Sequence, residues 1–151
     1  MNAAVTVFFL IIKVFSLYFL AVSLFGLCRR RTPEPAARLR RFAVLIAARN
    51  EESCIAGLIE SLRAQHYPPE LVDIWVLPNN CTDRTAEAAR RAGAQVLEMP
   101  PSVRSKGAAL HTAAKALLRS ARNYDAFCVF DADNEADPAF LSEMNRALDR
   151  T

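Results

Sequence analysis

The sequence predicts an α/β fold with a largely parallel sheet, preceded by one membrane-spanning helix. Four short apolar runs alternate with segments whose apolar residues recur at helical spacing, which is the pattern of repeated strand–helix units. The loops after the first, second and fourth of these runs are polar. In a parallel sheet such loops meet at the carboxyl edge, where ligands bind, so we expect a ligand site there.

The N-terminal segment from Ala3 to Cys28 is a 26-residue apolar stretch interrupted by Lys13 and a few small polar residues. As a helix it would be about 39 Å long, enough to cross a hydrocarbon core of about 30 Å. A cleaved signal peptide is the alternative, but Met1-Asn2 carries no basic side chain and the apolar core is longer than usual. We therefore predict a transmembrane anchor over residues 1–28. Lys13 either faces a partner helix or a polar cavity, or the span begins after it.

A cluster of arginines follows the apolar stretch and predicts a basic juxtamembrane linker over residues 29–41. The positive-inside rule places this linker and the following domain in the cytoplasm and the N-terminus outside. Each arginine near an anionic lipid surface contributes about 1 kcal/mol, which makes the bilayer an expected partner. The members of the cluster are Arg29, Arg30, Arg31, Arg38, Arg40 and Arg41.

The charge and residue content of the remainder exclude several classes of protein. From Phe42 onward there are 12 basic and 15 acidic residues, a net charge of −3, so no nucleic-acid partner is expected. The four cysteines form no C-x-x-C pair, which argues against a zinc site and agrees with reduced thiols in the cytosol. The four glycines are not clustered, so neither the dinucleotide fingerprint nor the Walker phosphate loop is present.

The predicted elements from Phe42 onward follow from apolar runs, helical spacing and breaker residues. The continuous apolar run that forms the first strand is typical of a central parallel strand. Tyr67-Pro68-Pro69 ends the helix that follows this strand. Gly93 caps the second helix, and Asp137-Pro138 provides an N-cap with proline at the first helical position for the last. The predicted strands are Phe42–Ala48, Val72–Leu77, Gln95–Met99 and one from Ala126. The predicted helices begin near Ser53, near Thr85, at Gly107 (ending at Ala121) and after Pro138 (ending near Leu148).

The fourth predicted strand ends in two carboxylates, Asp131 and Asp133, separated by one residue. Alternate residues of an extended chain point the same way, so both side chains are expected to face one target. Two hard oxygen donors suit Mg²⁺ or Mn²⁺, whose remaining coordination sites phosphate oxygens often fill. The alternative is a solvated acidic turn that caps the next helix. With no glycine-rich loop, Asp131, Asp133 and Lys106 are the groups available to neutralise phosphates.

Four motifs follow one another along the chain: Val44-Leu45-Ile46-Ala47-Ala48-Arg49-Asn50-Glu51-Glu52, Asn79-Asn80-Cys81-Thr82-Asp83-Arg84-Thr85, Ser105-Lys106-Gly107-Ala108-Ala109-Leu110 and Asp131-Ala132-Asp133. In this order they resemble the donor-binding half of the family 2 glycosyltransferases, nucleotide-sugar-dependent enzymes of the GT-A fold. The resemblance covers roughly Arg41 to Leu148 and is nearest to the membrane-anchored branch that includes cellulose synthase and related polysaccharide synthases.

The resemblance implies a role for each matching residue. The first loop would hold the nucleoside, with Glu51 near the ribose or base, and Lys106 with Gly107 would approach the base or the diphosphate. The implied nucleotide-sugar-binding residues are Ala48, Asn50, Glu51, Asn79, Asn80, Asp83, Lys106, Gly107 and Asp131, and the implied ligands of an Mg²⁺ or Mn²⁺ ion are Asp131 and Asp133. Two positions depart from the family pattern: Ala47 replaces a proline, and Asn79 replaces the carboxylate that reads uracil, which leaves uracil selection open. For Asp83, capping of the helix that begins near Thr85 is an alternative role.

The function implied is inverting transfer of a sugar from a nucleotide-sugar donor, expected to be UDP-linked, to a saccharide or lipid acceptor. The family's general base follows the D-x-D motif on the acceptor half. We therefore expect it beyond Thr151 and assign no catalytic residue within the chain. The 151 residues are expected to be the donor-binding part of a longer enzyme without transfer activity of their own. A non-catalytic membrane-anchored nucleotide-binding or scaffolding module is the alternative, and a nucleotidyltransferase is less favoured because its glycine-rich loop is missing.

Overall fold

The computed structural model describes residues 3–26, 36 and 38–149 of the chain. The chain divides into two compact units, Met1–Pro33 and Glu34–Thr151. Helix α1 (Ala3–Gly26) lies in the first unit. Its segment Val5–Leu24 has a mean hydropathy of 2.4 and is long and apolar enough to cross a membrane by length and composition. Leu27 and Cys28, and the linker arginines 29–31, lie outside the described residues.

The second unit is built on a four-stranded parallel sheet with the order β3-β2-β1-β4. The central strand β1 pairs with β2 on one side and β4 on the other, and β2 also pairs with β3. All three pairings are parallel. The α/β fold with a parallel sheet predicted from the sequence is therefore confirmed. The strands are β1 (Phe42–Ala48), β2 (Val72–Pro78), β3 (Gln95–Val96) and β4 (Ala126–Asp131).

Helices cover both faces of the sheet because β1 is apolar on both sides. Val44 and Ile46 pack on the face that carries α2, α3 and α5, whereas Ala43 and Leu45 pack against α4 on the other face. The side chain of Phe42 is fully buried at the start of the strand. The helices are α2 (Ile55–Arg63), α3 (Thr85–Arg91), α4 (Lys106–Leu118) and α5 (Phe140–Leu148), with a 3₁₀ turn at Pro69–Leu71.

Several predicted element boundaries differ from those observed. Strand β3 has two residues instead of the five predicted: one further ladder bond joins Leu97 N to Val76 O at 3.0 Å, and the prolines at 100 and 101 have no N–H to continue. Helix α5 begins at Phe140, because Asp137 Oδ1 accepts a hydrogen bond from Ala139 N at 2.8 Å and closes a turn ahead of the helix. Gly93 ends α3 as predicted, with a φ of +92°.

Residues 38–41, which the sequence assigned to the linker, belong to the second unit and contact its strands and helices. Arg41 Nη1 lies 3.2 Å from Asp73 Oδ2, and Arg38 Nη2 lies 2.8 Å from Asp125 Oδ1. Arg40 pairs with Asp149 at 2.5 Å and donates to two carbonyl oxygens at the end of α5. The folded unit therefore begins before Phe42, the boundary predicted from the sequence, and these three arginines have partners within it.

Candidate functional site

The loops after β1 and β2 are joined at the carboxyl edge of the sheet by hydrogen bonds. Asn50 Oδ1 accepts from Thr82 N at 2.8 Å, and Glu52 N donates to Asp83 Oδ2 at 3.1 Å. Arg84, on the second loop, forms an ion pair with the carboxylate of Glu52 on the first at 3.0 Å. Two of the polar loops identified in the sequence therefore form one connected surface.

Thr85, the first residue of α3, is the buried link between these two loops. Its side chain is 0% exposed, and its hydroxyl accepts a hydrogen bond from Glu51 N at 2.9 Å. The same hydroxyl donates to Asp83 Oδ1, which also accepts from Thr85 N at 3.1 Å. The Thr85 hydroxyl, supported by the backbone N–H groups of Glu52 and Thr85, lowers the pKa of Asp83 below its ordinary value.

These contacts give Asp83 the capping role that the sequence offered as its alternative. Both of its carboxylate oxygens accept hydrogen bonds from the two loops. A contact between Asp83 and a nucleotide stays a prediction. The role of Thr85 was not foreseen, although an acid two residues ahead of a threonine at a helix start is a usual side-chain-to-backbone capping pattern.

Two asparagines turn the chain sharply after β1 and β2. Asn50 and Asn80 have φ values of 60° and 52°, in the left-handed region that asparagine tolerates better than most residues. Asn80 Nδ2 donates to Asn79 Oδ1 at 2.8 Å and to Val103 O at 2.7 Å. The Asn79 side chain is buried, and the backbone N–H of Asn79 donates to Ala48 O at 2.9 Å. Ala48, Asn79 and Asn80, which the sequence grouped, are thus brought together and linked to the loop after β3.

The first residue of α4 contacts the last residue of β4. The ammonium group of Lys106 donates to Asp131 Oδ1, and these side chains are 48% and 58% exposed. Ser105 holds the start of the helix, since its Oγ accepts from Ala108 N at 3.2 Å. A Cβ added to Gly107 would meet no atom within 4 Å, so the space beside the helix terminus is open. The sequence grouped Lys106 and Asp131, and the structure joins them directly.

Asp133 is not carried on an extended strand, and the expectation based on strand alternation is wrong. Strand β4 ends at Asp131, and a turn closed by Asn134 N donating to Asp131 O at 3.1 Å follows. Asp133 is exposed and lines a groove of about 560 Å³ together with Cys54 and Glu60 of the α2 region. The turn, and not strand alternation, therefore determines where the Asp131 and Asp133 carboxylates lie relative to each other.

Cys54, which the sequence did not single out, follows the first loop along the chain and lines the same groove as Asp133. Its Sγ donates to Glu51 Oε2 at 3.1 Å. This hydrogen bond, together with burial and the charges of Glu51 and Asp133, raises the pKa of Cys54 to about 11. The thiol is therefore protonated at neutral pH.

The donor set at this edge fits a cation that shares its ligands with a phosphate. Among the described residues no cluster of three or more His, Cys, Asp or Glu side chains is placed to hold a metal ion. Asp131 and Asp133 are exposed hard oxygen donors at the end of β4. Mg²⁺ is commonly held by one or two carboxylates plus substrate phosphates and water. Asp131 and Asp133 can provide the carboxylates of such a site.

The fold and this edge together define an α/β domain of the GT-A type. The family model "Glycosyl transferase family 2" matches residues 43–151. The chain therefore belongs to glycosyltransferase family 2, as the sequence motifs indicated. The match does not distinguish the membrane-anchored cellulose-synthase branch from others.

Two curated relatives share parts of the sequence. The chain is 30% identical over 108 residues to the "Probable glycosyltransferase YdaM" of Bacillus subtilis (strain 168), covering 67% of this chain and 24% of the relative. It is 40% identical over 43 residues to the "Beta-monoglucosyldiacylglycerol synthase" of Nostoc sp. (strain PCC 7120), covering 28% of this chain and 9% of the relative. The chain thus spans at most about a quarter of either relative.

Two solved structures share the fold. The mannosyltransferase PcManGT of Pyrobaculum calidifontis, in complex with GDP-Man and Mn²⁺, gives a TM-score of 0.67 at 23% identity, covering 88% of this chain and 38% of that one. Glucosyl-3-phosphoglycerate synthase of Mycobacterium tuberculosis, in complex with Mn²⁺, UDP and glucosyl-3-phosphoglycerate, gives 0.50 at 28% identity, covering 64% and 36%. The first likeness shows the fold alone.

Proposed function

We propose that the chain binds the nucleotide-sugar donor of a glycosyltransferase that transfers the sugar with inversion to a saccharide or lipid acceptor. The observation that carries this proposal is the meeting of Lys106 and Asp131 at the same sheet edge as the joined loops of Glu51 and Asn79. Within a family 2 domain, this arrangement provides an amide-lined region for a nucleoside beside a carboxylate and a lysine for a metal-bound diphosphate.

Each residue of the edge has a distinct proposed task. Asp131 and Asp133 hold a divalent cation, Mg²⁺ or Mn²⁺, which stabilises the nucleoside diphosphate as leaving group when bound. Lys106 pairs with the diphosphate, and Gly107 leaves room for it. Glu51 contacts the ribose or base. The M. tuberculosis synthase, solved with Mn²⁺ and UDP, supports the choice of cation class and of a uridine nucleotide.

Asn79 is proposed to select the base. Its Oδ1 accepts from Asn80 Nδ2 at 2.8 Å, so its remaining polar group is the Nδ2 donor. A donor pairs with a carbonyl oxygen of the base, of which uracil carries two, guanine one and adenine none. Uracil remains the proposed base, with the UDP complex of the M. tuberculosis synthase as the support for uracil over guanine.

Isothermal titration calorimetry of the full chain in detergent tests donor binding. UDP should bind in the presence of Mn²⁺ and lose most of its affinity when EDTA removes the ion. Asp131→Asn and Asp133→Asn should each weaken binding about 10- to 100-fold, the size of a lost charge-assisted contact of roughly 1.5–3 kcal/mol. Glu70→Gln, which alters an exposed carboxylate on the 3₁₀ turn before β2, is the matched control.

Equal affinity for UDP with and without Mn²⁺ would refute the metal assignment. Tighter binding of GDP or ADP than of UDP would refute the role given to Asn79. Binding of none of the three would refute the proposed function itself and leave the non-catalytic scaffold as the alternative.

We propose further that α1 anchors the protein in a membrane, with the N-terminus outside and the domain from residue 29 onward in the cytoplasm. The support is the apolar segment Val5–Leu24, and the lipid product in the name of the Nostoc relative agrees with a membrane location. The chain should resist carbonate extraction, and protease added to the cytoplasmic face should cleave the domain. Protection of the domain from that protease would contradict the orientation.

A further inference from the structure

The carboxylate proposed to bind the metal already has a positive partner in the chain. The Lys106 ammonium donates to Asp131 Oδ1. Lys106 is the first residue of α4, where the positive end of the helix dipole disfavours a cation. Asp131 offsets this cost. A divalent cation that binds the Asp131 carboxylate would compete with the Lys106 ammonium group for Oδ1 and would be repelled by its positive charge.

We propose that Lys106 is an exchangeable counter-ion of Asp131: it leaves the carboxylate when a divalent cation binds there and pairs with the nucleotide's diphosphate instead. This inference rests on the proposed function, because the diphosphate is the group that receives the lysine. Both side chains are about half exposed, so the lysine can change partner without unpacking the core.

The exchange makes metal and nucleotide bind cooperatively. Each ligand alone must bear the whole cost of separating Lys106 from Asp131, whereas both together separate the pair once. An exposed ion pair changes an equilibrium constant by about 1.5- to 5-fold. The same factor should therefore appear in the coupling between the two ligands, and linkage makes it reciprocal.

The test measures Mn²⁺ binding to the full chain in detergent by the electron paramagnetic resonance signal of free Mn²⁺, with and without UDP. Lys106→Gln removes the competitor, so Mn²⁺ alone should bind it about 1.5- to 5-fold more tightly than the wild type. The factor by which UDP enhances Mn²⁺ binding should fall by the same amount. Lys115→Gln removes an equal charge from the far end of α4 and should change neither quantity beyond the general effect of one charge.

The outcomes separate this inference from the proposed function. If UDP and Mn²⁺ bind together but Lys106→Gln leaves the affinity for Mn²⁺ alone unchanged relative to Lys115→Gln, the exchange is refuted and the proposed function stands. If UDP does not bind, the proposed function fails, and tighter binding of Mn²⁺ alone to Lys106→Gln would still establish the competition at Asp131. If neither the wild type nor any variant binds Mn²⁺, with or without UDP, the exchange and the metal assignment are both refuted.

Discussion

Replacement of Thr85 by valine should loosen the two loops that form the candidate nucleoside region. Valine has nearly the same shape as threonine and fits the fully buried position, but it lacks the hydroxyl. The variant therefore leaves Glu51 N without the acceptor that it has at 2.9 Å and removes one of the donors to Asp83. Packing is preserved, so any effect reports the hydrogen bonds.

The expected loss of stability comes from the unpaired N–H of Glu51. A partly buried donor without a partner costs about 1–3 kcal/mol, whereas the half-buried Asp83 carboxylate keeps its hydrogen bonds from the N–H groups of Glu52 and Thr85 when the hydroxyl is lost. Thr112→Val is the matched control: that hydroxyl donates to Ala108 O within α4 at 2.8 Å, and its loss should change the free energy of unfolding by less than about 0.5 kcal/mol.

Thermal denaturation of the full chain in detergent, followed by circular dichroism and by the fluorescence of Trp75, measures the difference. For a domain of this size 1 kcal/mol corresponds to about 4 °C in Tm, so Thr85→Val should unfold about 4–12 °C below the wild type. Its affinity for UDP with Mn²⁺ should also fall. Equal Tm values for Thr85→Val and Thr112→Val would show that this contact does not hold the loops together.

Three further predictions concern charged groups. The folded-state pKa of Asp83 is depressed, so its contribution to stability is present above its ordinary pKa of 3.8 and is lost as the pH falls through the lower folded value. The free energy of unfolding, followed by circular dichroism, should therefore fall less steeply with pH below about pH 4 in Asp83→Asn than in the wild type. Because the pKa of Cys54 is about 11, iodoacetamide should alkylate it slowly at pH 8. Glu51→Ala, which removes both the hydrogen-bond acceptor that is the largest cause and its charge, should accelerate the reaction measured by mass spectrometry. Arg40→Ala removes a largely buried guanidinium from the end of α5 and should lower the free energy of unfolding in urea by about 1.5–3 kcal/mol, whereas Arg38→Ala, 66% exposed, should change it by less than about 1 kcal/mol.

The sheet was predictable because burial on both faces leaves a local pattern in the sequence. Strand β1 has the bounds given by its apolar run, Phe42–Ala48, and its neighbours follow from the repeated strand–helix order. The errors lie where the end of an element depends on contacts elsewhere. The turn after β4 is one example: Ala132 is buried, and Asp133 leaves the extended path that alternation implied.

The ordered motifs predicted which residues meet at the carboxyl edge of the sheet, but not the hydrogen bonds that join them. Thr85 lies 34 residues after Glu51, and Val103 lies 23 residues after Asn80, so no local pattern indicates either hydrogen bond. The sequence separation is larger still for the hydrogen bond from Arg40 to Asn145 O at the end of α5, which joins residues 105 positions apart. These contacts exist only because parallel strands bring distant loops to a common edge or a common face.

The connections also differ in kind along the edge, and this difference matches the two ends of the proposed donor. The proposed nucleoside region is held by a buried threonine, a buried asparagine and backbone hydrogen bonds. These contacts fix its shape before a ligand binds, which would reduce the entropy lost on binding. The diphosphate region instead joins α4 to β4 by the half-exposed ion pair of Lys106 and Asp131. An exposed pair is cheap to separate. The proposed nucleoside region is thus fixed before binding, whereas the Lys106–Asp131 pair beside it can separate. This combination favours cooperative binding of the nucleotide and the cation.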